Sequence, residues 1–291
     1  MKRKDFLKTG LAAGMGALLP SGRKYRSLSP ISGKAKNIIF FAYDGFSWED
    51  FSSAQHYSLR NFGRQLHIEK LFRSGSAGSM QSYSLTSMVT DSSAATTTWA
   101  TGRKIVNGSL SAYPDGEALT TILELAKAHG KATGVVSTTR VSHATPAGWI
   151  AKHVNRRAEE EIADQLVEFK ADVIEDATDV LVSHSDAEML QQAIAGEIVM
   201  PDAAAFPRQP IATLARILKG GTNEEPTHLN INYGTTQHTA GAVPAAVYGN
   251  GVEVKPFGLV DNTDFFYWMT DALGINFENP DMSAQRALEY Y

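Results

Sequence analysis

Asn37 to Gly45, NIIFFAYDG, is an unbroken apolar run that ends in Asp-Gly. That pattern predicts a strand buried on both faces of a parallel sheet. In GEALTTILELAKAHG (116–130), Leu119, Ile122, Leu123 and Ala126 share one helical face, and Gly130 closes the helix. KATGVVSTTR (131–140) follows at once as a short buried strand, which gives the helix-then-strand rhythm of an α/β protein. NRRAEEEIADQLVEF (155–169) predicts a second amphipathic helix through Ile162, Leu166 and Phe169. Further on, 179–183, 229–234 and 243–251 read as strands, and 211–221 and 262–274 as helices. Turn residues dominate Glu197 to Pro210, which predicts a loop over the site. The alternation predicts an α/β three-layer sandwich around a mostly parallel central sheet. Asp44, His143, Thr145, Asp186 and His238 all fall just after or beside predicted strands, where such sheets place ligand groups.

Composition narrows the function classes. The 291 residues carry a net charge of −4 and no basic tract interleaved with aromatics, which argues against a nucleic-acid partner. There is no cysteine, so disulfides, thiolate metal sites and cysteine nucleophiles are excluded. At the start, KRKDFLKTG precedes the apolar LAAGMGALLP, a run too short to span a bilayer. A basic region, an apolar region and then small residues predict an export signal over residues 1–30. Lys2-Arg3-x-x-Phe6-Leu7-Lys8 resembles a twin-arginine signal with Lys in the first twin position. The expected arrangement is that signal, then one domain over 31–291 in the periplasm or otherwise exported, with no stable membrane span.

VTDSSAATTTWATG (89–102) raises the chemical question. Asp91 and Ser92 are good helix caps, and a capped helix is one reading of the stretch. The other reading is a serine nucleophile at a helix N-terminus, where backbone N–H groups favour phosphate.

Four segments favour the second reading together. NIIFFAYDG, TDSSAATTTWATGRKIVNG, HATPAGWIAKHVNRR and GTTQHTAGAVPAAVYGNG resemble, in order, the signature segments of alkaline phosphatases. The resemblance runs from Lys36 to about Lys170 and resumes near Asn230. It implies hydrolysis of small phosphomonoesters with release of inorganic phosphate, using Zn2+ and Mg2+, with a homodimer as the assembly to test. Two divalent ions about 4 Å apart would activate the hydroxyl and steady the leaving oxygen. Ser92 is implied as the nucleophile that becomes phosphoserine and also as a metal-facing group, with Ser93 a bland neighbour. Asp44 is implied as a carboxylate bridging zinc and magnesium, although Asp-Gly is also a common turn pair. Thr145 is implied as a magnesium-site hydroxyl, and His143 stands where relatives carry Asp or His; HATP also reads as a plain helix entry. Arg156, thirteen residues beyond His143, is implied as the phosphate clamp, with Arg157 as its rival. His238 is implied as a zinc ligand, although a lone histidine among hydroxyls is also a common hydrogen-bonded loop residue.

The resemblance departs in the centre. Relatives supply a Glu for magnesium and an Asp and a His for zinc from a long segment after the ADVI position. Here Ala171–Ile174 runs almost directly into EDATDVLVSHSDAEML, with no Glu-x-x-x-x-Asp-x-x-x-His pattern. Asp186 is followed by Ala187 where His is expected, and His184 lies two residues earlier. Glu175, Asp176 and Asp179 are further candidates for replacement ligands. The expectation is a domain of reduced size and a metal-dependent phosphatase of reduced activity. The alternative is an impaired relative that only binds phosphate or metal.

Overall fold

The structure is a computed structural model, and it describes residues 29–31, 34–176 and 238–291. The early helices are α1 (Trp48–Phe62) and α2 (His67–Ser74), followed by β1 (Ser76–Gln81) and α3 (Ser92–Thr101). Then come α4 (Ile122–Ala128), β2 (Gly134–Ser137), α5 (Ala144–Ala147), α6 (Glu159–Phe169) and β3 (Val173–Asp176). Beyond residue 238 lie β4 (Val243–Val247), β5 (Gly258–Asp261), α7 (Thr263–Leu273) and α8 (Ala284–Leu288). The strands form two ladders, β4-β1-β5 and β2-β3. β1 runs antiparallel to β4 and parallel to β5, and β2 runs parallel to β3. Pro244 sits on the edge strand β4, where a missing backbone donor is tolerated.

Helix α3 lies at the centre although six of its ten residues carry hydroxyls. Asp91 caps it, accepting from the Ala94 N–H, and the chain leaves it at Gly102 with φ 70°. The buried hydroxyls of Thr98 and Thr101 donate to Ala94 O and Thr97 O one turn back. Thr97 Oγ1 accepts the Ser111 N–H at 2.9 Å. These hydroxyls are satisfied within the fold, while that of Thr96 is buried with no hydrogen-bond partner among the described residues. Small side chains also permit close neighbours. A Cβ on Gly148 would stand 2.8 Å from Thr96 Cγ2, and one on Gly102 would stand 2.6 Å from the Phe266 ring. Those two contacts seat α5 and α7 against α3. The core then divides into clusters around Leu110, Ala147, Ile162 and Leu166, around Ile122 and Phe266, and around Met80, Val260 and Trp268.

Several expectations change. Asn37–Gly45 forms no ladder among the described residues, and Ile39, Phe41 and Tyr43 are about half exposed. Phe40 is anchored, packing on Trp99, Trp149 and Phe265, while Tyr43 meets the neighbouring Phe46 ring. Apolar content alone does not make a strand; a partner backbone must be alongside. The helix expected from 116 begins at Ile122, because Gly116 turns the chain and Ala112 bridges Ala118 first. Thr121 and Glu124 then form a reciprocal capping box. The helix expected from 155 begins at Glu159, which leaves Arg156 and Arg157 in the turn before it. Helices α1 and α2 and strands β1, β3 and β5 were not anticipated. The elements expected at 179–183, 211–221 and 229–234, the loop at 197–210 and most of the export signal lie outside the described residues.

Lys104, three residues after the end of α3, fastens that helix to the β5–α7 corner. Its ammonium pairs with Asp261 Oδ1 at 3.1 Å, donates to Asn262 Oδ1 and stands 3.6 Å from the centre of the Tyr83 ring. Burial outweighs these partners and pulls its pKa down to about 8. Between pH 8 and the ordinary lysine range, the unfolded chain therefore binds the extra proton. The Lys104 contribution to stability rises with pH across that window. Nitrogen NMR of labelled lysine is expected to find one ammonium titrating near pH 8, absent in Lys104→Met. A Lys104 midpoint in the ordinary lysine range would contradict this.

Candidate active site

Asp91 organises the site. Its carboxylate accepts the Ala94 N–H at 2.9 Å and the Gly108 N–H at 3.0 Å. Ser93 Oγ donates to it, lying 2.7 and 2.8 Å from its two oxygens, and Arg156 donates an N–H at 3.1 Å. Asn107 secures the approach, with Oδ1 accepting the Asp91 N–H and Nδ2 donating to Val89 O. The Asn107-Gly108 turn thus closes over the start of α3, Gly108 adopting φ 88°. One residue along, Ser92 opens the helix half-buried. Its hydroxyl makes no hydrogen bond among the described residues, whereas Ser93 is fully buried and committed to Asp91.

Arg156 reaches this point from the turn before α6. Its second terminal nitrogen lies 3.3 Å from His143 Nε2. A guanidinium only donates, so Nε2 accepts and the imidazole proton sits on Nδ1. Burial first, and then the positive charge of Arg156, lower the His143 pKa below the ordinary imidazole value. His143 is therefore neutral at pH 7. Its Nδ1 is buried without a hydrogen-bond partner among the described residues. Two residues on, Thr145 Oγ1 donates to Asp44 Oδ2 at 2.7 Å. Asp44 precedes Gly45, which takes the left-handed φ of 70° that a turn there requires.

Asp91, Asn107, Gly108, Arg140, His143, Asn155, Arg156, Arg157 and Glu159 line a cleft of about 760 Å³. Arg140 pairs with Glu159 at 2.7 Å, and Glu159 also accepts from Ser142. Arg157 is exposed on the rim, and its guanidinium has no hydrogen-bond or ion-pair partner among the described residues. The fold thus brings together Asp91, Arg156 and His143, with Ser92 next to Asp91 in the chain, and separately Asp44 with Thr145. His238 is exposed and makes no contact with them among the described residues. Asp186, His184 and Asp179 lie outside the described residues, and Glu175 is exposed on β3. Asn107, Gly108, Arg140, Asn155 and Glu159 were not singled out from the sequence. The Asn-Gly pair was the one available signal, since that dipeptide marks a turn.

No three His, Asp or Glu side chains converge as a metal site among the described residues. The Asp44 carboxylate and Thr145 hydroxyl are a paired set of oxygen donors, which suits a hard cation such as Mg2+. They offer no nitrogen for zinc, and His143 directs its Nε2 lone pair at Arg156.

The alkaline phosphatase family profile matches residues 35–193, over half of the chain. The chain belongs to the alkaline phosphatase family. Among curated relatives, the repressible alkaline phosphatase of Saccharomyces cerevisiae is 36% identical over 140 residues, covering 47% of this chain and 24% of the yeast protein. Streptomycin-6-phosphate phosphatase of Streptomyces griseus is 39% identical over 127 residues, covering 43% and 28%. Alkaline phosphatase of Escherichia coli is 39% identical over 129 residues, covering 42% and 26%. The alignments thus span about a quarter of the length of these relatives. The crystal structure of Thermus thermophilus alkaline phosphatase superposes with a TM-score of 0.70 at 24% identity, over 94% of this chain and 99% of that one. The alkaline phosphatase of the Antarctic bacterium TAB5 superposes at 0.55 with 17% identity, over 80% and 97%. Both similarities establish the α/β fold.

The Asp91 carboxylate serves helix start, turn and guanidinium at once, so its removal should be costly. Loss of a cap costs about 1 kcal/mol, and each stranded donor adds roughly 1–3 kcal/mol. Asp91→Ala is expected to lower the unfolding free energy by roughly 2–4 kcal/mol in urea titrations. A change within the ordinary range for a surface substitution would contradict the hub role.

Proposed function

We propose that the chain is a phosphate monoester hydrolase that works through a phosphoserine at Ser92. The observation that carries this reading is the Asp91–Arg156 pair beside an uncommitted Ser92 hydroxyl at the start of α3. Arg156 holds the phosphoryl oxygens, its guanidinium oriented by Asp91 on one side and His143 on the other. The first-turn N–H groups of α3 add positive potential at the same place. The Ser92 oxygen forms a bond to phosphorus, the ester oxygen leaves with the bonding pair, and the alcohol takes a proton. Water then attacks the phosphoserine, returning the hydroxyl and releasing inorganic phosphate. Neutral His143 keeps Arg156 turned toward the cleft without adding positive charge of its own.

In this proposal Asp44 and Thr145 hold Mg2+, which would neutralise charge building on the phosphoryl group. Zn2+, with Asp186 and His238 as the ligands implied by resemblance, completes the expected set. A TAB5 alkaline phosphatase variant has been solved with Mg bound, which supports the magnesium assignment. Slow turnover, or binding alone, is the second reading. The exposed position of His238 favours it, because a zinc ligand shared with solvent holds metal weakly. We further propose a single domain over 31–291, exported through the basic and apolar start of the chain. Among the described residues, no helix is long and apolar enough to cross a membrane.

Turnover and phosphoenzyme formation separate the roles. Ser92→Ala is expected to abolish both hydrolysis of 4-nitrophenyl phosphate and acid-stable labelling by radioactive phosphate. Ser93→Ala should lower stability while labelling persists, because its hydroxyl serves Asp91. Labelling that survives Ser92→Ala would transfer the nucleophile elsewhere. In parallel, Arg156→Ala is expected to raise the inhibition constant for inorganic phosphate at least tenfold, as loss of a charge-assisted contact implies. Damage from Arg157→Ala instead would move the clamp to its neighbour.

A further inference from the structure

The cleft is larger than its phosphate clamp. At about 760 Å³ it falls within the range of roughly 300–1,000 Å³ that encloses a whole small ligand. Its walls carry three guanidinium groups, those of Arg140, Arg156 and Arg157, against two carboxylates, those of Asp91 and Glu159. The pairing is specific. Arg156 is matched by Asp91 at 3.1 Å and Arg140 by Glu159 at 2.7 Å. Three cations less two anions leave one positive charge, and it resides on Arg157. The Arg157 backbone is also held, its N–H donating to Asn155 Oδ1 at 3.0 Å.

Arg157 therefore differs from its neighbour in kind. Arg156 turns inward to Asp91 and His143, whereas Arg157 stands on the rim, with no partner for its guanidinium among the described residues. Arg140 cannot easily take the same role. Glu159 already occupies it, although that pair is about half exposed and its attraction is weakened by water. Arg157 lines the same cleft as Arg156 and is exposed, so its guanidinium is available to a second anionic group on a ligand whose phosphoryl group Arg156 holds.

We propose that Arg157 is a specificity-determining residue which selects phosphomonoesters carrying a second anionic group, such as a second phosphate on the same alcohol. The proposal rests on the phosphate-binding reading of Arg156. It adds recognition of the alcohol portion to recognition of the phosphoryl group. An exposed cation–anion contact contributes up to about fivefold in affinity and weakens with salt.

Calorimetric titration of the full chain with two non-hydrolysable probes, methylphosphonate and propane-1,3-bisphosphonate, tests it without requiring turnover. The ratio of their affinities is the readout. Two equivalent ends alone supply about twofold on statistical grounds. In the wild-type chain the ratio is expected to approach tenfold at low salt and to fall as salt is raised. Arg157→Ala should return it to about the statistical value, and Arg157→Lys should retain part of the gain. A wild-type ratio near twofold, or a ratio untouched by Arg157→Ala, overturns the proposal while leaving the clamp intact. Arg156→Ala supplies the separate arm, because it should weaken both probes together. If neither probe binds, or Arg156→Ala weakens neither, the phosphate reading itself fails.

Discussion

A carboxylate enclosed by donors from four directions is the constraint on which the rest of this site depends. Asp91 stops one segment, starts a helix, closes the Asn107-Gly108 turn and orients Arg156. None of these partners is adjacent in sequence to all the others, yet one charged group satisfies them together. The arrangement is charge-assisted at every bond, which is why its geometry is well defined. Ser92 inherits its position from this anchor. The hydroxyl of Ser92, half-buried beside the capping residue, makes no hydrogen bond among the described residues, whereas the next hydroxyl, that of Ser93, is spent on the cap itself.

Around that anchor, the electrostatic balance is kept close. Arg156 would be a costly group to bring against a helix N-terminus without a carboxylate to meet it. His143 adds a neutral acceptor rather than a second cation, because burial and the guanidinium both oppose its protonation. The oxygen pair of Asp44 and Thr145 stands apart from this set, two residues along from His143. One short helix entry, Ser142 to Thr145, thus supplies both the neutral acceptor for Arg156 and the hydroxyl that meets Asp44.

Some juxtapositions stood out in the sequence more clearly than the architecture did. Asp91, Ser92, Arg156, Asp44 and Thr145 drew notice because each lies within a motif that constrains residue type and spacing together, and the fold sets Arg156 on Asp91 and Thr145 on Asp44. Helix α7 was legible because its apolar face and its closing Gly274 agree. The run at 37–45 misled because an apolar pattern reports burial preference and says nothing about whether a neighbouring strand is present. Strand β1, SAGSMQ, was illegible for the opposite reason: its small residues carry almost no hydrophobic signal. A Cβ on its Gly78 would meet Gly258 O at 2.3 Å, a tertiary requirement no local pattern encodes. The start of α6 was misplaced because Arg156 and Arg157 have good helix propensity, while the turn is set by the contacts of Arg156 with distant Asp91 and Gly108 and by Asn155 within it.

The far end of α3 is held as firmly as its start. Asn279, fully enclosed, donates to Thr101 O and Thr120 O and accepts from the Thr120 N–H. Arg103 grips the carbonyls of Asn279 and Pro280 and pairs with Glu278. A segment near the last residues of the chain is thereby bolted to the tail of the helix whose head presents Ser92. Such a helix behaves as a strut clamped at both ends rather than a piston. Ser92 therefore stands on a helix held at its head by Asp91 and at its tail by Asn279 and Arg103.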